Sequence, residues 1–176
     1  YRAIARPIGK SDEMVIAAAA NSAISRLEDI QAGATVAMAD NRDVKLIGLR
    51  LLEAVDIEAS DLNWDVTETY QAAARKVIKG EAQVAFFLAE IFHSFSRLTK
   101  TQLSVLIESD LADISHVLLV KEDFPDAQIF LEAILNLHND GDGKEALAEL
   151  GMPQGFEAMN EEDAEFMIDL MQTLLD

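Results

Sequence analysis

The sequence contains no cysteine, which excludes a disulfide framework, a thiol nucleophile and a thiolate metal site, and says nothing of the redox compartment. Basic residues are scarce: 14 Lys and Arg stand against 32 Asp and Glu, a formal charge of −18. That balance repels a phosphate backbone and an anionic lipid surface, so neither nucleic acid nor a membrane surface is an expected partner. Long apolar runs are missing too. Met14 to Ala20 is short, and the other apolar stretches carry regularly spaced charges, so direct membrane insertion is not expected. The chain begins at Tyr1 with no basic, apolar leader and reads as a processed product or a piece of something longer. No Gly-x-Ser-x-Gly elbow occurs, and His93, His116 and His138 lack His-x-x-x-His spacing. An enzyme, a cofactor and a metal site are therefore not expected.

What is present is apolar residue in quantity. Half of the 176 residues are hydrophobic, enough to bury a core and too many for an acidic disordered chain. The excess of acid reads first as a solubilising surface. Strand-like runs fall at Arg2 to Ile8, Met14 to Ala20, Thr35 to Ala39, Asn63 to Thr67, Gln83 to Leu88, Leu103 to Glu108 and His116 to Lys121. Helical spacing joins Val44, Ile47, Gly48, Leu51, Leu52 and Val55, and recurs at Tyr70, Ala73, Ala74, Val77 and Ile78 before Gly80. Ser25 with Glu28 forms a capping-box pattern, and Gly33 supplies a left-handed stop, which predicts a short helix from Ser25 to Ala32.

Strands alternating with helices predict an α/β fold: a mostly parallel sheet with crossover helices. After Lys121 the pattern becomes helical, over Pro125 to His138, Lys144 to Leu150 and Asn160 to Leu175, with no further strand expected. The last helix should bury a stripe of Ala164, Met167, Ile168, Met171 and Leu174. The expected division is an α/β lobe over 1–121 and C-terminal helices over 122–176.

Four stretches carry a family likeness: Tyr1-Arg-Ala-Ile-Ala, Ser25 to Val36, AAARKVIKGEAQVA over Ala72 to Ala85, and KEALAELGMPQGF over Lys144 to Phe156. Their order resembles the phosphate/phosphite/phosphonate-binding proteins of ABC transporters, which have the type II periplasmic-binding-protein fold. The resemblance implies the second lobe of a two-lobed clamp plus a C-terminal return to the other lobe, with roughly the opening half of the first lobe lacking. It also implies a periplasmic or extracytoplasmic setting, a small-molecule ligand, and a membrane permease or a fused signalling domain as partner. A second copy of the chain is a further candidate partner, because apolar helices left uncovered by the missing lobe favour association.

The family's ligand loop is rich in hydroxyls at a helix start, where backbone amides capture anions. Here the matching loop is Asp40-Asn41-Arg42-Asp43, two carboxylates with one guanidinium. The family's ligand-type His matches Tyr70, and its Asp three residues after the helix-ending glycine matches Gln83. The candidate ligand-binding residues are therefore Asp40, Asn41, Arg42, Asp43, Tyr70 and Gln83, with a cleft expected among loops 40–43, 68–70 and 88–90. Asp40 or Asn41 acting only as a helix cap is the rival reading of that loop. Tyr70 is equally placed for the core. The loop chemistry disfavours phosphonate and favours a neutral or cationic solute. The alternative function is a ligand-degenerate module for protein interaction or dimerisation.

Two further patterns are set aside. His138, Asp140, Asp142, Gly143 and Glu149 fall at EF-hand-like spacing, yet calcium prefers a hard oxygen at the first position and Glu145 occupies a normally apolar one. An interhelical turn is expected there. Trp64, Phe86, Phe87, Phe92 and Phe95 are expected in the core.

Overall fold

A computed structural model describes residues 1–10, 13–109 and 114–175. The chain divides into two compact units, Asp12–Leu111 and Tyr1–Ser11 with Ala112–Asp176. This differs from a boundary at 121. The strand Arg2–Pro7 (β1) pairs antiparallel with Leu118–Val120 (β7), so both ends of the expected 1–121 lobe join the C-terminal helices instead.

The 12–111 unit is built on a five-stranded sheet. Its strands are Met14–Ala19 (β2), Thr35–Ala39 (β3), Asn63–Thr67 (β4), Val84–Leu88 (β5) and Leu103–Glu108 (β6), in the order β4-β3-β5-β2-β6. β3 pairs in parallel with β4 and β5, while β2 pairs antiparallel with β5 and β6. Four of the five strands therefore point the same way, and β2 is the exception. Its residues MVIAAA are buried on both faces, which is why it reads as a continuous apolar run.

Helices cover the two faces. Arg42–Leu52 (α1) starts at Asn41 and buries Val44, Ile47, Gly48 and Leu52. A single 3₁₀ turn then runs to Asp56, whose φ of 56° ends it in the left-handed region. Tyr70–Ile78 (α2) buries Ala73, Ala74 and Val77 and stops before Gly80, at φ 75°. On that face α2, Ala89–Ser94 (α3) and the strands share one core cluster containing Val15, Ala17, Ala85, Phe87, Phe92 and Phe95. Phe87 meets Phe95 edge to face at 5.4 Å, so these aromatics are core as expected. A short helix, Arg97–Lys100 (α4), leads into β6.

The helix predicted over 25–32 is only a 3₁₀ turn at Leu27–Asp29. Its organiser is Asp29, whose carboxylate accepts from the Ser25 and Arg26 amides at 2.9 and 3.2 Å and from the Ser25 hydroxyl at 3.0 Å. With three donors drawn to that side chain, the segment curls around it, and Ile30 is already extended.

The other unit holds a three-stranded sheet, β7-β1-β8, with β8 at Phe156–Ala158. A strand after Lys121 was not expected. Three residues are too short to show a period, and β8 exists by pairing with β1, Ala5 opposite Ala158 and Pro7 opposite Phe156. Helices Ala127–Asn136 (α5), Gly141–Glu149 (α6) and Glu161–Leu175 (α7) complete the unit. Asp140 caps α6 by accepting from the Gly143 amide at 3.0 Å, so the EF-hand-like spacing is an interhelical turn. Of the expected α7 stripe, Ala164, Met167 and Met171 are half-buried and Ile168 is 52% exposed, while the Leu174 side chain lies outside the described residues.

Candidate functional site

A parallel sheet gathers the C-terminal ends of its strands along one edge, and loops there lie side by side even when far apart in sequence. In this sheet Ala39 is in register with Thr67, and Met38 with Phe86. Loops 40–43, 68–70 and 88–90 therefore leave from the same edge, as the sequence pattern requires. β2 and β6 add two positions that the sequence does not flag. Val15 pairs with Glu108, and the Ala89 amide donates to the Glu13 carbonyl at 2.8 Å, which brings Glu13 and Glu108 to this edge. Buried Ser109 fastens them, its hydroxyl accepting from the Met14 amide at 2.8 Å.

The charge of this edge is one-sided. Asp40, Glu68, Glu90 and Glu108 are exposed there, and Glu13 and Asp43 are half-buried. Arg42 is the guanidinium among them, with His93 close by, its Nε2 lying 2.6 Å from a Glu108 carboxylate oxygen. No group of three or more His, Asp or Glu side chains suited to a metal ion occurs among the described residues.

The helix starts at this edge are already capped. The Asn41 side-chain oxygen accepts from the Asp43 and Val44 amides at 3.0 and 3.1 Å. Those are the amides an anion would need at α1. Thr69 does the same at α2, accepting from the Ala72 amide at 3.1 Å. Asn41 is thus a helix cap, and Asp40, Arg42 and Asp43 are the members of the loop that remain to face solvent. Buried Thr67 stiffens the neighbouring loop, its hydroxyl 3.1 Å from the Met38 carbonyl and 2.9 Å from that of Thr69.

Tyr70 is half-buried at the start of α2, its ring 6.4 Å from that of Phe87, and it packs against the core cluster. Gln83 is not at this edge. It precedes β5, where its side chain accepts from the Thr35 amide at 2.7 Å and its own amide donates to the Thr35 carbonyl at 3.0 Å. Five residues of extended chain separate Thr35 from Asp40, roughly 16 Å. Gln83 closes the far end of the β3–β5 ladder, and the physical reason is direction: the start of a parallel strand faces away from its end.

An α/β unit whose loops converge on one edge of a mostly parallel sheet is the architecture of a periplasmic-binding-protein lobe. The family described as ABC transporter, phosphonate, periplasmic substrate-binding protein matches residues 1–164, and the chain belongs to it. Solved structures agree on the fold. A Xanthomonas citri protein bound to chloride ion is 16% identical with a TM-score of 0.74, covering 98% of this chain and 70% of its own. The binding-protein component of an ABC phosphonate transporter from Pseudomonas aeruginosa is 16% identical with a TM-score of 0.70, covering 97% and 60%. A Prochlorococcus marinus protein in complex with methylphosphonate is 14% identical with a TM-score of 0.68, covering 98% and 70%. No curated protein sequence matches the chain. No helix among the described residues is long and apolar enough to cross a membrane.

Proposed function

We propose that the 12–111 unit is the second lobe of a non-enzymatic solute-binding protein that serves an ABC permease outside the cytoplasm, and that its solute is neutral or cationic. In this reading Tyr1–Ser11 and Ala112–Asp176 belong to the other lobe. The observation that carries the proposal is the edge itself: six carboxylates against Arg42, with the first free amides of α1 taken by Asn41. A phosphonate there meets like charge and must displace a cap worth about 1 kcal/mol before gaining the Asp43 and Val44 amides. An ammonium meets the reverse. Asp40 and Asp43 then supply the charged contacts, and Tyr70 contributes at most the part of its ring that the core leaves uncovered.

Titration calorimetry of the chain at low salt tests this with methylphosphonate, inorganic phosphate and a diamine such as putrescine. Diamine binding that weakens on Asp40→Asn with Asp43→Asn is the expected result. Micromolar methylphosphonate binding abolished by Arg42→Ala would overturn the proposal.

A further inference from the structure

Three surface depressions of about 470, 400 and 280 Å³ meet at Ile78, near the C-terminal end of α2. The largest lies between α2 and the segment from Ser94 to Gln102. From α2 it takes Gln71, Ala74, Arg75, Ile78 and Lys79, an i, i+3, i+4, i+7, i+8 stripe that a neighbouring element would ordinarily close. Phe95, Ser96, Thr99 and Gln102 form the facing wall and leave the space open.

The lining reverses the charge of the molecule. The sequence carries 32 Asp and Glu, yet none lines any of the three depressions, and the charged lining residues are Arg75 and Lys79. These stand one helical turn apart on one face, with Cβ atoms about 6 Å apart. Arg26, Arg50 and Lys76 are each engaged by a carboxylate, whereas the Arg75 guanidinium makes no hydrogen bond or ion pair among the described residues. Lys79 is held only loosely, 3.9 Å from exposed Glu81. On the facing wall Ser94 donates to the Ile91 carbonyl, Gln102 to that of Leu98, and Ser96 and Thr99 share one hydroxyl–hydroxyl hydrogen bond. The cationic donors of the groove are therefore Arg75 and Lys79, with the Gln71 amide on the same helix face, above an apolar floor of Ala74, Ile78 and Phe95.

We propose that this groove is a second binding site, for a small amphiphilic organic carboxylate. Its head group takes the Arg75 fork with Lys79 beside it, and its aliphatic body covers Ile78. The site selects the charge opposite to that favoured at the acidic edge and does not depend on the solute proposed there.

The test is a titration of the full chain with sodium hexanoate, followed by backbone amide chemical shifts, with hexylammonium and acetate as charge and length controls. Hexanoate should shift amides of α2 and residues 94–102 and saturate in the millimolar range, with both controls markedly weaker. Arg75→Gln combined with Lys79→Gln, both exposed helix positions, should weaken hexanoate about tenfold or more. Asp40→Asn should leave it unchanged. Hexylammonium or acetate binding as tightly as hexanoate would overturn the proposal, as would hexanoate binding that survives the double substitution.

Discussion

Gly48 of α1 lies against the ring of Phe86: a methyl group at position 48 would come to 2.6 Å from Cδ2 of that ring and 2.9 Å from Cε of Met14. Phe86 has no room to yield, being fully buried and held edge-on by Trp64 at 5.8 Å between centroids. Overpacking of this kind costs about 1–3 kcal/mol, while the helix propensity gained from alanine returns at most about 1 kcal/mol. Gly48→Ala should therefore lower the urea midpoint. An unchanged midpoint would mean that α1 lifts from the sheet freely.

Asn41 holds the start of the same helix. Asn41→Ala leaves the Asp43 and Val44 amides without their side-chain acceptor and should cost about 1 kcal/mol, within a range of roughly 0.5–2. Asn41→Ser, which keeps an acceptor at the cap, should recover most of the loss in the same urea measurement. Equal losses for the two variants would show that capping is not the role of Asn41.

The parts of the fold legible in the sequence are those fixed by local pattern. β2 reads as a strand because it is buried on both faces, and α1 and α2 read as helices because each has a single buried stripe and a side-chain cap. What was not legible depends on pairing at a distance. β8 is three residues recruited by β1 from the other end of the chain, and β1 with β7 moves both ends of the expected 1–121 lobe into the C-terminal unit. The site divides in the same way. Loops 40–43, 68–70 and 88–90 follow from strand polarity alone, whereas Glu13 and Glu108 reach the edge only through the antiparallel placement of β2 between β5 and β6. Gln83 could have been excluded from the sequence, since a residue just before a parallel strand lies at the end away from the loops that follow such strands.

Asp29 gives the fold a pH signature. Hydrogen bonds from the Ser25 amide and hydroxyl, with a smaller contribution from Arg26, hold its carboxyl below the ordinary aspartate value. A group depressed in the folded state contributes stability above its unfolded pKa, about 3.9, and loses it as pH falls through the folded value. Asp29→Asn should thus be less stable than the parent at neutral pH, and the gap in Tm should narrow as the pH drops below about 4. A gap that stays constant down to pH 2 would show that the charge of Asp29 contributes nothing.

Arg42 is the residue that tests which charge of solute the acidic edge favours. In a loop built to capture an oxyanion, removing its guanidinium weakens anion binding and does nothing for a cation. At this edge exposed Arg42 shares its loop with Asp40 and Asp43, and the Asp43 and Val44 amides of α1 are already capped, so in the proposed reading the guanidinium opposes a cationic solute rather than holding an anion. Exposed charge contacts are worth about 0.2–1 kcal/mol each, so Arg42→Ala should tighten putrescine binding by roughly 1.5- to 5-fold at low salt. The gain should fade by 0.15 M salt, where the screening length is about 8 Å. Methylphosphonate should remain without micromolar affinity in parent and variant alike. Calorimetric titrations of both proteins at two salt concentrations measure all of this, and weaker putrescine binding in Arg42→Ala would show that the guanidinium supports the ligand rather than competing with it.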